Sequence, residues 1–161
     1  MTLNEYNICV DDYSDGIFRF ILKNICDEDK AKDVVQDTYE KLWKKIENVN
    51  YEKVKSYLFT TAYHTMIDMI RKDKRKVNLE QANVEDMLTT DTYSDLKEIL
   101  DKAVDKLPEI QKSVILLRDY EGYSYNEIAE ITALNESQVK VYIYRARVFL
   151  KKHLKSIDLV I

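Results

Sequence analysis

The chain has 161 residues, with 25 Lys and Arg against 29 Asp and Glu, a net charge of −4, and only two Gly and one Pro. That length holds one ordinary domain or two small ones, and the mild acidity excludes an indiscriminate nucleic-acid coat. So few turn residues argue against hairpin-rich sheets and for an all-α fold.

In chain order, the acidic start MTLNEYNICVDDYSD lacks the basic-then-apolar pattern of an export leader. No apolar run approaches the ~18 residues of a membrane span. Cys9 and Cys26 have no metal-ligand or redox spacing, so two reduced thiols in a cytoplasmic protein are expected. Ile17, Phe18, Ile21, Leu22 and Ile25 recur with helical spacing. A second helix opens near Asp29, with Val34, Val35, Thr38, Leu42 and Ile46 as its apolar stripe. Its exposed side is Asp33, Gln36, Asp37, Tyr39, Glu40 and Trp43. After the turn NVNYEKV, a third helix is expected with Ser56 as its N-cap. It buries Leu58, Ala62, Ile67 and Ile70, keeps Tyr63 and His64 on its outer face, and ends in the basic run RKDKRK, Arg71 to Lys76.

Val77 to Asp95 then carries Glu80, Glu85, Asp86, Asp91 and Asp95 with no cation and no sustained helical period, which reads as an acidic linker. The expected architecture is two small helical domains, residues 1–76 and 96–161, joined by residues 77–95. The second domain begins with a helix from Asp95 to Lys106. Pro108 opens the next, which carries Val114, Ile115, Leu116 and Leu117 and stops at Glu121-Gly122. Ser124 and Glu127 have capping-box spacing and start a brief helix through Ile128, Ala129 and Ile131. Thr132-Ala133-Leu134 turns the chain, and Asn135 caps a long basic helix, making a helix-turn-helix.

On that last helix Val139, Ile143, Ala146 and Leu150 form a core stripe. The opposite face collects Glu136, Ser137, Gln138, Lys140, Val141, Tyr144, Arg145 and Arg147. This is mixed chemistry: Gln138 suits an adenine edge, Lys140 or Arg145 a guanine, Glu136 a cytosine amine and Val141 a thymine methyl. Such a face suits sequence readout more than charge neutralisation.

LPEIQKSVILLRDYEGYSYNEIAEI followed by VKVYIYRAR resembles the DNA-binding end of bacterial RNA polymerase sigma factors of the extracytoplasmic-function (ECF) group. DVVQDTYEKLWKKI resembles that group's polymerase-docking helix, and SYLFTTAYHTMIDMIRKDKRK its promoter-melting helix. The resemblance spans about Ser14 to Leu154, in the group's order. It implies a dissociable promoter-specificity subunit whose partners are core RNA polymerase, promoter DNA and an anti-sigma factor, in the bacterial cytoplasm, with no membrane insertion. By the same resemblance, Asp33, Gln36, Asp37, Tyr39, Glu40 and Trp43 face the clamp helices of the largest polymerase subunit. The final helix reads the −35 element. Asn48, Asn50, Tyr51, Tyr63 and His64 meet the −10 element, and Lys53, Lys55, Arg71, Lys72, Lys74, Arg75 and Lys76 hold its phosphates. A base read there leaves its stack at a cost of a few kcal/mol, offset by the pocket that holds it. Relatives commonly have glycine where Ala133 stands, and its replacement implies an unstrained backbone at that turn.

A stand-alone helix-turn-helix regulator is the alternative reading, and it would bind duplex as a symmetric dimer. An enzyme is a distant third, because the sequence has no nucleophile–base pair, metal cluster or glycine-rich phosphate loop. No cofactor is called for.

Overall fold

The computed structural model describes residues 1–80 and 96–158, and all regular structure among them is helical. Helices α1 (Leu3–Ile25), α2 (Glu28–Lys44) and α3 (Val54–Glu80) build an N-terminal module. The C-terminal module comprises α4 (Leu96–Asp105), α5 (Glu109–Ile115), α6 (Tyr125–Thr132) and α7 (Glu136–Asp158). Among the described residues, no helix is long and apolar enough to cross a membrane. The backbone of α3 runs on through Glu80 rather than stopping at Lys76. The rest of the acidic segment, with Glu85, Asp86, Asp91 and Asp95, lies outside the described residues.

Helix starts are set by local caps. The Thr2 hydroxyl accepts from the Glu5 N–H at 3.1 Å and the Glu5 carboxylate accepts from the Thr2 N–H at 2.9 Å. This capping box starts α1 far upstream of the Ile17–Ile25 stripe. Asp27 caps α2 by accepting from the Lys30 N–H at 3.1 Å. Ser56 does not cap α3. Instead the Asn50 side chain accepts from the Glu52 N–H at 3.1 Å and starts a single 3-10 turn, Tyr51–Lys53, that leads straight into the helix. With an orphan donor satisfied that early, the helix nucleates upstream and Ser56 falls inside it.

The N-terminal core is made of Cys9, Ile17, Phe20 and Ile21 from α1, Ala31, Val34 and Leu42 from α2, and Val54, Leu58, Ala62 and Met66 from α3. Phe18, Leu22, Ile25, Val35, Ile67 and Ile70 pack around it, half-buried. In the C-terminal module α5 continues as a π-helical turn, Leu116–Tyr120, and Val114 to Leu117 are all buried. Four consecutive buried residues cannot share one face of a helix. They are covered from two sides, by α7 on one and α1 on the other. Gly122, at φ 76°, ends this stretch in the left-handed region that favours glycine.

The expected Ser124–Glu127 capping box is present, with both bonds at 3.2 Å. The turn after α6 departs from expectation. Ala133 sits at φ 58°, so its backbone is left-handed rather than unstrained, and its Cβ costs about 1 kcal/mol there.

The two modules are in contact, α3 against α6 and α1 against α4 and α5. Phe59 stands between Phe20 of its own module (ring centroids 5.8 Å) and Tyr123 of the other (5.2 Å). The Arg19 guanidinium forks onto the Glu121 carboxylate at 3.1 and 3.0 Å. Nearby the Lys112 ammonium donates to the Asn24 carbonyl at 3.1 Å, and the Ser113 hydroxyl donates to the Asn24 side-chain oxygen at 2.8 Å.

Candidate functional site

The most coherent functional surface is the solvent side of α7. Asn135 accepts from the Gln138 N–H at 2.8 Å, and Gln138 Oε1 accepts from the Asn135 N–H at 3.0 Å. This reciprocal cap fixes where the helix begins. With that start, Val139, Ile143 and Ala146 are buried against α5 and α6, and Leu150 is half-buried. Glu136, Ser137, Gln138, Lys140, Val141, Tyr144, Arg145 and Arg147 all emerge on the exposed side. Val141 is 44% and Tyr144 70% exposed, so neither apolar side chain is there for the core.

Within this face, Lys140 reaches Glu136 at 3.4 Å, and its ammonium lies 5.7 Å from the Tyr125 ring centroid. Arg147 donates to Asp119 at 2.7 Å, a bond that raises its pKa further and keeps it cationic. Gln138 carries two duties. A bidentate adenine contact needs both its amide oxygen and nitrogen, but the oxygen already closes the cap.

The residues expected at the −10 element are not gathered into one patch. Asn48, Asn50, Tyr51 and Lys53 are exposed at the start of α3, and Arg71, Lys72, Lys74 and Arg75 are exposed toward its other end. Lys53 and Arg71 are separated by roughly 27 Å along a helix axis. His64 is exposed between them. Tyr63 is not on the outer face: it is only 5% exposed, its ring edge-on to His64 at 5.3 Å, and burial pushes its phenol pKa up. The buried residues of α3 sweep about half of its circumference, from Val54 to Tyr63, because both modules press on it.

Sequence reasoning missed a cleft of about 310 Å³ between the end of α2 and α3, lined by Lys41, Lys44, Lys45, Tyr57, Thr60, Thr61 and His64. Cations, hydroxyls and two aromatic planes make it fit for a phosphodiester with an unstacked base. The lysines of KLWKK were the available signal.

On α2, Asp33, Gln36, Asp37, Glu40 and Trp43 share the exposed side as expected. Trp43 is 50% exposed and edge-on to Tyr6 at 5.2 Å. Tyr39 departs from the group. It is buried under α1, its hydroxyl donating to the Cys9 carbonyl at 2.9 Å, while the Tyr6 hydroxyl donates to the Tyr39 carbonyl at 3.2 Å. Its ring belongs to the α1–α2 packing and not to a docking face.

Comparison with known proteins agrees with this layout. Residues 9–76 match Sigma-70 region 2, and residues 97–150 match Sigma-70, region 4. The RNA polymerase sigma factor SigV of Bacillus subtilis (strain 168) is 32% identical, over 94% of this chain and 92% of its own length. The ECF RNA polymerase sigma factor SigM of the same organism is 27% identical, over 86% of this chain and 88% of its own. Among solved structures, the sigma factor RpoE in complex with the anti-sigma factor NepR from Bartonella quintana superposes with a TM-score of 0.79. It is 26% identical, over 95% of this chain and 98% of that one. These relatives are all named as sigma factors, not as free-standing regulators. A C-terminal helix-turn-helix, a helical module ahead of it and matches to both sigma regions in that order place this chain in the ECF group of RNA polymerase sigma factors, which initiate transcription at promoters.

Proposed function

We propose a division of the promoter between the two modules. Residues 96–161 take the −35 element as duplex through Glu136, Ser137, Gln138, Lys140, Val141, Tyr144, Arg145 and Arg147. Residues 1–76 grip core polymerase through Asp33, Gln36, Asp37, Glu40 and Trp43, and receive the −10 element between the Asn48–Lys53 turn and His64. Tyr39 and Tyr63 act only by shaping those surfaces. The acidic span between the modules is the tether. The chain works in the cytoplasm, where polymerase and promoter are, and is held in reserve by an anti-sigma protein; the RpoE–NepR pairing supports that last point.

The observation that carries the reading is the sorting of α7: every residue assigned to base or phosphate contact is exposed, while Val139, Ile143 and Ala146 between them are buried. The test is transcription by reconstituted holoenzyme. Lys140→Ala with Arg145→Ala removes −35-dependent initiation and leaves core binding intact. It also flattens the salt dependence of promoter binding by about two in log–log slope. Loss of core binding in that variant would overturn the division.

A further inference from the structure

The cleft between the end of α2 and α3 differs from its neighbours in charge. Three other clefts, of about 560, 230 and 260 Å³, are each bordered by at least two carboxylates. This one, of about 310 Å³, is bordered by three lysines and no acidic residue, in a chain whose net charge is −4. Of the four, it alone favours an anion.

Helical spacing sets its walls. Tyr57, Thr60, Thr61 and His64 lie at i, i+3, i+4 and i+7 on one stripe of α3, so two rings flank two hydroxyls. Thr38 and Thr132 turn their hydroxyls back onto the carbonyl four residues earlier, each at 2.7 Å. Those of Thr60 and Thr61 have no protein partner among the described residues. His64 is edge-on to the buried Tyr63 ring at 5.3 Å, which holds an exposed imidazole as a fixed plane. Facing this stripe, the Lys41 ammonium is fixed by donating to the buried Thr65 hydroxyl at 2.8 Å. Lys44 makes only an exposed pair with Glu40 at 3.2 Å, of the kind an anion readily exchanges, and Lys45 is exposed.

Size and charge together narrow the ligand. A volume of about 310 Å³ is at the small end of ligand sites, room for one nucleotide and not for a run of them. A nucleic-acid strand brings one negative charge per nucleotide, which leaves two of the three ammoniums unmatched. A nucleoside di- or triphosphate brings several charges at one end and an aromatic base at the other. Its base stacks on the rings while its phosphates reach the lysines. With no carboxylate there to hold a magnesium ion, the ammoniums neutralise the phosphates themselves.

We infer that this cleft is a binding site for a free nucleoside polyphosphate, which competes there with the promoter strand. Binding follows from the cleft alone; only the competition rests on the proposed −10 assignment. A subunit occupied in this way is withheld from melted DNA, which ties initiation to the nucleotide supply.

The experiment is calorimetric titration of the free full-length chain with ATP and with GTP in EDTA, beside adenosine and tripolyphosphate. Either nucleotide should saturate at one per chain, with half-saturation below about 1 mM. Adenosine and tripolyphosphate should each bind at least tenfold more weakly. Lys44→Ala/Lys45→Ala should weaken ATP at least tenfold, as should Thr61→Val where helix content shows the first variant misfolded. Lys151→Ala/Lys152→Ala removes the same charge from exposed positions on α7 and should leave ATP binding unchanged. His64→Ala should erase the preference for ATP over tripolyphosphate. Failure of both nucleotides to saturate would overturn the site. Tripolyphosphate binding as tightly as ATP, or an equal loss in the α7 control, would overturn it too and leave an adventitious ion only. The competition is read on holoenzyme, with a labelled single strand carrying the −10 element of a promoter it uses. ATP should displace that strand at the concentration that half-saturates the free chain. A strand left in place at that concentration would overturn the competition. Absence of any such promoter would instead refute the −10 assignment, while the titration still decides the site.

Discussion

Ala133 is a residue whose identity and conformation disagree. At φ 58° it holds the turn between α6 and α7 in a region where a Cβ is penalised. Ala133→Gly should therefore stabilise the chain by about 0.5–1 kcal/mol, net of the extra unfolded-state entropy of glycine. Thermal unfolding would show it as a melting point higher by about 2 °C, with −35 binding retained. Tyr39 and Gln36 offer a contrast on a single helix. Tyr39→Phe removes the bond to the Cys9 carbonyl and should cost about 1 kcal/mol of stability, with little effect on polymerase affinity. Gln36→Ala with Asp37→Ala should do the reverse, leaving stability within about 0.5 kcal/mol while core binding weakens measurably in a pull-down titration. Both residues lie on one short stretch, DVVQDTYEKLW, and nothing in that stretch separates them. What buries Tyr39 is α1, thirty residues upstream.

Among elements, the legible ones were those whose signals are local. The α6 cap could be read because Ser124 and Glu127 satisfy each other within a single turn. The core stripe of α7 could be read because a helix-turn-helix buries one narrow face. The third helix was half legible. Leu58 and Ala62 were placed correctly in the core, but Phe59 faces Tyr123 of a module more than fifty residues further along, Tyr63 is buried as well, and no periodicity announces a second buried side. The helix start was misread for a different reason: Ser56 is a good cap in isolation, and Asn50 reached the orphan donors first. Gln138 brings a consequence at this scale. Because its amide oxygen closes the α7 cap, Gln138→Ala should loosen the first turn as well as change base preference. Gln138→Glu keeps the cap acceptor and should restore helix stability, measured by thermal melting, without restoring adenine preference in a promoter-variant transcription assay.

For the whole molecule, the two sigma regions and their order were legible, but their contact was not, since it depends on pairs such as Arg19 and Glu121 that are a hundred residues apart. Tyr123→Phe addresses the quality of that contact. It deletes a buried hydroxyl without a partner and should stabilise the chain by about 1 kcal/mol, seen as a higher melting point. The Lys74–Glu109 pair carries a different implication. Glu109 offers Lys74 what a phosphodiester would offer it: a single negative oxygen at hydrogen-bond distance, on a surface where such a bond is weak and readily exchanged. A polyanion such as heparin should therefore displace Glu109 from Lys74, an exchange that weakens as ionic strength rises.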